Sequence, residues 1–202
     1  GLDSATDQLA QNQNRNKTNR ELIHNTNEKL SATESKMEAL RNITERYDGY
    51  GNSIRRVMEQ KQWNPGIIGV VADIITVNQK YEVAVETALG GSIQNIVTED
   101  DATAKRMISY LKTNRLGRAT FLPLNTITDR GSVRNDVLRE KGVIGVASDL
   151  VEVDSKFNTL VKNLLGKIIV VDNIDSALAV ARKNNQSLRL VTIEGELINP
   201  GG

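Results

Sequence analysis

The chain carries the stretch GIIGVVADIITV at residues 66–77 and, 76 positions later, GVIGVASDLVEV at residues 142–153. The likeness continues beyond this stretch. Between residues 66–90 and 142–166, ten of 25 positions are identical, and most of the others exchange similar residues. A match of this length indicates an internal duplication. The sequence therefore predicts one small structural unit that is present twice.

Each copy predicts the same order of elements, in which strands alternate with helices. In the first copy we place a strand at 68–72, a short β-rich stretch at 73–77 and a helix at 79–89. A strand at 93–97, a helix at 101–113 and a strand at 119–122 follow. In the second copy they fall at 144–147, 149–153, 155–165, 168–171, 175–184 and 188–193. Glycine follows the first helix of each copy, as expected at a helix end. This order predicts an α/β (α+β) fold.

Beyond the first helix the two copies are offset by fewer residues. We align 95–97 with 169–171, Asp101 with Asp175, and 119–122 with 190–193. A unit of roughly 60–75 residues is marginal on its own because it buries little surface. We therefore expect two pseudo-symmetric subdomains that pack together about a pseudo-twofold axis.

Residues 1–48 are mostly polar and contain no Pro or Gly after Gly1, which favours a helix. Every seventh residue forms a mostly apolar line of Leu2, Leu9, Asn16, Ile23, Leu30, Met37 and Thr44. The line three residues later is polar until Leu40. This pattern predicts a coiled-coil arm of roughly 70 Å, which needs a partner helix to bury its seam. The alternative is a disordered polar tail, since Asn and Gln are frequent at 11–27. The residues DGYG at 48–51 should stop the helix.

Three segments follow from these patterns: a coiled-coil arm at 1–48, subdomain I at 49–125 and subdomain II at 126–202. The charges of the 26 basic and 25 acidic residues nearly cancel, so the net charge does not indicate a nucleic acid or a membrane as a partner. The chain contains no cysteine, which excludes disulfides and agrees with a reducing compartment. No apolar run approaches the ~20 residues of a membrane span. We expect a cytoplasmic protein, and an excised fragment of a longer one.

The sequence lacks the residue sets that enzymes and metal sites need. It has no phosphate-binding loop with a lysine, and Gly90-Gly91-Ser92 is better explained as a helix end. His24, the single histidine, lies in the arm without a second ligand nearby. Glu99, Asp100 and Asp101 could form a carboxylate cluster, but the first turn of a helix explains them more simply. We therefore expect no catalytic residues, no metal and no cofactor in this fragment.

Basic residues are concentrated in the first copy. Between Ala102 and Thr128 there is no acidic residue, whereas five positions are Lys or Arg, namely Lys105, Arg106, Lys112, Arg115 and Arg118. The matching region of the second copy keeps Arg182, Lys183 and Arg189. Such a face could neutralise phosphates of a nucleic acid backbone. An ordinary solvated helix face is an equally good interpretation, because stacking aromatics are absent.

Three segments of the sequence resemble the hinge domain of bacterial SMC (structural maintenance of chromosomes) proteins. They are YEVAVETALGG at 81–91, RLGRATFLPL at 115–124 and VTIEGELINPGG at 191–202. The resemblance covers the chain from about Gly49 onward, and the arm fits the end of the adjoining coiled coil. It implies a homodimerisation module of a chromosome-organising (condensin-type) ATPase, whose head domains lie elsewhere in the protein. In the full-length complex, kleisin-type subunits would bind at those heads.

The resemblance also implies functional residues. Glycines at the end of the domain lie at the dimer contact, and they match Gly201 and Gly202. Some hinges contact DNA near the junction with the arm, and Lys112, Arg115 and Arg118 are the candidates here. For this chain we expect weak binding to DNA that fades with salt. Because the family's further glycines and returning helix do not follow Gly202, we expect weakened dimerisation. The competing hypothesis is a small-ligand-binding or catalytic α/β domain with an accessory helix.

Overall fold

The computed structural model describes residues 1–201, except the side chains of Ile43 and Thr44. It divides the chain into two compact units, 1–49 and 50–202. The helices are α1 Leu2–Arg46, α2 Asn52–Glu59, α3 Val71–Ile74, α4 Glu82–Leu89, α5 Asp101–Thr113, α6 Asn135–Leu138, α7 Asn158–Leu165 and α8 Ile174–Lys183. The strands are β1 Ile67–Val70, β2 Thr76–Val77, β3 Ile96–Thr98, β4 Phe121–Pro123, β5 Val143–Val146, β6 Val151–Glu152, β7 Ile168–Val171, β8 Arg189–Thr192 and β9 Leu197–Ile198.

The first unit consists mainly of α1, a helix of 45 residues. The predicted arm helix is thus confirmed, and the disordered tail is the wrong alternative. The five apolar residues of the predicted seam are all 55–89% exposed: Leu2, Leu9, Ile23, Leu30 and Met37. Thr44, which continues that seam in the sequence, has a side chain outside the described part. Within residues 1–201, no helix is both long and apolar enough to cross a membrane.

The second unit contains both copies, and each builds the same small sheet. β1 runs antiparallel to β3, which runs parallel to β4. In the second copy β5 runs antiparallel to β7, which runs parallel to β8. The register is irregular at the same place in both, between Ile67 and Gly69 and between Val143 and Gly145. The predicted duplication is therefore present in the fold, down to a β-bulge.

One hydrophobic core holds the copies together. It includes Val85 and Leu89 of α4 together with Leu160 and Leu165 of α7, all buried. β2 pairs antiparallel with β6, and Thr76 lies opposite Glu152, its counterpart 76 residues later. Counterparts that lie opposite each other in an antiparallel pair are related by a twofold axis that passes between them. The α/β (α+β) class is confirmed, whereas the boundary between residues 125 and 126 stays a prediction, because contacts join residues 50–202 into one unit.

Strand pairing corrects the alignment of the later elements. Val70 pairs with Ile96 and Val146 with Ile169, so Ile96 corresponds to Ile169 and the slip is three residues rather than two. Phe121, opposite Ile96, corresponds to Leu190, opposite Ile169, which moves the last strand by two residues. The two copies share few identical residues in these later strands, so only the pairing with neighbouring strands fixes their register. A slip of one residue would turn every side chain of a strand to the other face of the sheet.

Three other expectations also change. In the β-rich stretch 73–77, residues 73–74 belong to the helical turn α3, and only the last two residues form a strand, β2. The strand expected at 93–97 begins only at Ile96, because residues 90–94 form a 3₁₀ turn after the helix end at Gly90. The elements α2, α6 and β9 have no counterpart in the prediction.

Candidate functional site

The two sheets end differently, and this difference concerns the predicted dimer contact. The first has the order β1-β3-β4, while the second continues as β5-β7-β8-β9. Among the described residues, β4 therefore has a neighbour on one side only. The Ile96 amide donates to the Thr120 carbonyl at 2.9 Å, and the Leu124 amide donates to the Thr98 carbonyl at 2.9 Å. Because alternate residues of a strand face one neighbour, the Phe121 amide faces away from the sheet.

The outer edge of the second sheet is β9. The Thr192 amide donates to the Glu196 carbonyl at 2.9 Å, so the backbone of Leu197 faces away from β8. Leu197 is also one of the few large apolar side chains exposed outside α1, at 36%. Each copy thus ends in a short strand whose outer backbone groups are open to a further strand.

Gly201 follows β9 and adopts a backbone conformation that favours glycine. Its φ is +75°, and its amide donates to the Gln186 carbonyl at 2.7 Å. An added Cβ would meet nothing within 4 Å. Backbone geometry, and not crowding within the protomer, therefore explains the glycine. Gly202 lies outside the described residues.

The three basic candidates lie at the end of α5 and in the loop that follows it, and all are exposed. Lys112 and Arg118 line one cleft of about 440 Å³, whose apolar part includes Ile108, itself 51% exposed. Arg115 does not line this cleft. The Arg118 carbonyl accepts a hydrogen bond from the Ser53 hydroxyl at 2.7 Å, which fixes the loop against α2. Within the described part of the chain, no ion pair occupies the charges of Lys112, Arg115 or Arg118.

Arg115 has an unusual backbone. Its φ is +51°, and the next residue, Leu116, donates to the Leu111 carbonyl at 3.0 Å. In the second copy Asn185 has φ +56°, and the Gln186 amide donates to the Ala181 carbonyl at 2.8 Å. Both helices thus end with the same left-handed residue, where Gly or Asn is usual. An arginine there costs conformational energy that asparagine largely avoids.

The acidic cluster caps a helix, as the simpler interpretation predicted. The Asp100 carboxylate accepts a hydrogen bond from the Thr103 amide at 2.7 Å, and Asn173 caps α8 in the same way through Ser176 at 2.9 Å. Hydrogen bonds from the Thr103 side chain and then its backbone amide lower the pKa of Asp100 below its ordinary value. Asp101 instead accepts from the Asn125 amide group at 3.0 Å. His24 lies 3.1 Å from Glu28, one helical turn away.

Sequence reasoning missed a second basic cleft, which lies in the second copy. It measures about 310 Å³ and its polar lining includes Arg134, Lys167 and Arg189. These residues are far apart in sequence, so no local run of charge signals them. Pairing of β7 with β8 would have placed two of them together.

Comparison with known proteins identifies the class. The family model described as "SMC proteins Flexible Hinge Domain" matches residues 64–181. The chain belongs to this family of SMC hinge domains, and the resemblance inferred from sequence is confirmed. It is a hinge, and not an ATPase head, which decides against a catalytic α/β domain.

Individual relatives agree with this class. The chain is 40% identical over 176 residues to "Chromosome partition protein Smc" of Lactiplantibacillus plantarum, which covers 86% of this chain and 15% of that protein. It is similar to an asymmetric dimer of the Geobacillus stearothermophilus SMC hinge domain, with a TM-score of 0.74, 35% identity, and 90% of this chain and 75% of that chain covered. The Pyrococcus furiosus SMC hinge domain gives a TM-score of 0.63 and 37% identity, with 84% and 87% covered.

Proposed function

We propose that this chain is the homodimerisation hinge of an SMC-type chromosome partition protein, and that two such hinges join two coiled-coil arms. The observation that carries this proposal is the pair of open sheet edges, β4 on the first copy and β9 on the second. A strand edge with unpaired backbone groups is a template for another strand. The related Geobacillus stearothermophilus hinge domain is a solved dimer, which supports the homodimer proposed here.

In the proposed dimer, β4 of one protomer pairs with β9 of its partner. A twofold axis then generates the same contact a second time, so the assembly closes at two protomers and does not extend into a fibre. Pro123 has no amide hydrogen, so of the two β4 residues that face outward only Phe121 can donate a backbone hydrogen bond to the partner's strand. Gly201 lies three residues beyond β9, where the absence of a side chain lets a second backbone approach, and the same role is proposed for Gly202.

Light scattering after size exclusion tests the dimer. We expect a mass of twice the 22.2 kDa of one chain. Leu197→Pro removes the outward amide hydrogen and should shift the protein to monomer, while Leu197→Val keeps that hydrogen and should stay dimeric. A wild-type monomer at every concentration, or a dimeric Leu197→Pro protein, contradicts the proposed pairing.

The arm is proposed to pair with a second helix. Its seam leaves leucines and a methionine exposed on a single helix, and burial of each would contribute about 1.5–3 kcal/mol. The asparagines at 16 and 19 weaken this seam at its middle, which favours correct register at some cost in stability.

We also propose that the basic end of the first copy contacts DNA through Lys112, Arg115 and Arg118. Their exposure and their lack of ion pairs in the described structure support this role, as does the conformational cost that Arg115 carries. A residue held in an unfavourable conformation is often retained for its function. Because exposed Lys and Arg side chains neutralise phosphates whatever the neighbouring bases are, the binding should be weak and independent of sequence.

Fluorescence anisotropy with a labelled duplex tests this contact. Charge reversal of all three residues to Glu should weaken binding strongly and lower the slope of log K against log salt by about 3. Lys162, Arg182 and Lys183 are exposed on the second copy, and their joint reversal is the matched control. Equal loss of affinity in both triple variants would show that net charge matters and the position does not.

The chain spans about 15% of the curated relative from Lactiplantibacillus plantarum. For the whole protein we propose ATP hydrolysis by head domains outside this segment, kleisin-type subunits at those heads, and action in the cytoplasm on the nucleoid. The hinge itself is proposed to work without a cofactor. Its contribution would be mechanical, in holding two arms together.

A further inference from the structure

The second basic cleft brings three cations together at one end of the second sheet. Lys167 comes immediately before β7 and Arg189 begins β8, and parallel pairing places Ile168 opposite Arg189. β9 runs antiparallel to β8 and ends at Ile198, so Pro200 reaches the same end and also lines the cleft. The segment before α6 adds Arg134. Sheet topology, and not a run of charge in the sequence, therefore creates this site.

Two of these cations have no partner in the described part of the chain. Lys167 and Arg189 make no side-chain hydrogen bond or ion pair among the described residues, and the Nε of Arg189 is buried without an acceptor. A buried donor that is left unpaired is costly, so an acceptor in the cleft would stabilise it. Arg134 is partly engaged: its Nε lies 3.4 Å from an Asp136 carboxylate oxygen, and it donates to Asn184 at 3.4 Å.

The fold does not need these charges. Since Ile96 corresponds to Ile169 and Phe121 to Leu190, the first copy has Gln94 in place of Lys167 and Thr120 in place of Arg189. The same scaffold therefore forms with neutral residues at both positions. A duplicated unit that carries cations at these positions in one copy only, around a cleft, points to a ligand and not to structure.

We propose that this cleft binds a phosphate group. Up to three positive charges suit the charge of a phosphate better than that of a single carboxylate, and guanidinium groups match its oxygens in geometry. The Ser132 hydroxyl lines the cleft as a further donor without a partner in the described structure. Val133 and Leu188 add apolar lining, and a cleft of about 310 Å³ exceeds what a lone oxyanion fills. The phosphate is therefore part of a larger molecule, either a nucleic acid backbone or a phosphorylated small molecule.

This site lies on the other copy from Lys112, Arg115 and Arg118, so it does not depend on the DNA contact proposed above. Two-dimensional ¹H–¹⁵N spectra test it directly. Inorganic phosphate, added against sodium chloride at matched ionic strength, should cause saturable shifts confined to residues 131–137, 167–168 and 187–189. The double variant Lys167→Gln, Arg189→Thr, which copies the first copy's residues, should bind at least about tenfold more weakly.

Matched variants keep the test specific. Arg182→Gln with Lys183→Gln removes two exposed charges of the same copy and should bind like wild type. Lys167→Gln alone changes an exposed position, so it keeps the test valid if the double variant unfolds, and it should weaken binding about threefold. The triple reversal at Lys112, Arg115 and Arg118 should keep the phosphate shifts.

A second titration separates the two sources. If a nucleic acid backbone is the natural ligand, a single-stranded oligonucleotide shifts the same peaks and competes with phosphate. If the natural ligand is a phosphorylated small molecule, inorganic phosphate shifts these peaks and the oligonucleotide does not. Shifts that never saturate, equal affinity in the double variant, or tighter binding of a glutamate tetrapeptide than of phosphate would each overturn the proposal.

Discussion

The two copies of the repeat have the same interior and different surfaces. Both begin with a glycine beneath a helix N-terminus, both carry a bulge in the first strand pair, and both cap their second helix with a side chain. The first copy ends on an open strand, β4, and gathers basic residues after α5. The second adds β9 and places cations before β7 and at the start of β8. The shared features specify the scaffold, and the features that differ are candidates for function.

The largest expected effect tests whether the copies form one cooperative unit. Leu160 of the second copy is fully buried in the common core. Leu160→Ala should lower the free energy of unfolding by about 3 kcal/mol, because it leaves a cavity. Trp63, the single tryptophan, precedes β1 of the first copy, so its fluorescence during urea unfolding reports on the other copy.

If the two copies share one core, the Leu160→Ala substitution lowers the urea midpoint that is measured by Trp63 fluorescence. Leu178→Ala on α8, where the side chain is 46% exposed, is the control and should change the midpoint little. A Trp63 transition that keeps its wild-type midpoint in Leu160→Ala would mean that the copies unfold independently.

A smaller effect should distinguish the two glycines that open the repeat. A Cβ at Gly142 would overlap the Ser176 side chain and lie 2.7 Å from an Asp172 carboxylate oxygen, at a φ of +85°. A Cβ at Gly66 would overlap Thr103 without such a φ. We expect Gly142→Ala to cost about 2–3 kcal/mol and Gly66→Ala about 1 kcal/mol less, as measured by urea unfolding.

Gly91→Ala provides the reference for this pair, because nothing lies within 4 Å of its added Cβ. Its free energy of unfolding should stay within about 0.5 kcal/mol of wild type. Equal losses at Gly66 and Gly142 would show that crowding alone, without the backbone conformation, decides the cost.

The scaffold could be predicted from the sequence because its signals are local. Helices α5 and α7 follow from apolar spacing, Gly166 ends α7, and acidic or amide residues precede α5 and α8. The register of the later strands could not be predicted, since β3 and β7 consist only of buried β-branched residues and their sequences fit several alignments. Only pairing with β1 and β5 fixes them.

The candidate sites divide in the same way. Lys112, Arg115 and Arg118 stand in one basic run, so composition indicates them without structure. Lys167 and Arg189 are 22 positions apart and meet only because β7 and β8 are parallel. The left-handed conformation of Arg115 had no sequence signal, because arginine seldom adopts it.

Arg115 and Asn185 allow a direct exchange between the copies. Arg115→Asn should raise the free energy of unfolding by about 0.5–1 kcal/mol, since asparagine tolerates a φ of +51° better. The same substitution should weaken DNA binding, because a charge is lost. Urea unfolding and fluorescence anisotropy of one protein sample measure both effects.

Two variants bracket this exchange. Asn185→Arg should destabilise the second copy by a similar amount, and Arg118→Asn, at a residue without positive φ, should lose DNA affinity without a gain in stability. A destabilised Arg115→Asn protein would mean that the arginine side chain stabilises the loop more than its backbone conformation costs.

The smallest effect concerns the two helix caps and depends on pH. Hydrogen bonds from Thr103 hold the pKa of Asp100 below its ordinary value of 3.8 in the folded protein. A depressed folded-state pKa stabilises the fold above 3.8, and this stabilisation is lost as the pH falls through the lower, folded-state value. Asn173 caps α8 with the same geometry but has no such proton to bind. Asp100→Asn should therefore lose less stability than wild type between about pH 5 and about pH 3, and Asn173→Asp should lose more. Urea midpoints across this pH range measure the difference. Identical pH profiles for wild type and Asp100→Asn would show that the negative charge of the Asp100 cap adds no stability beyond that of an asparagine cap.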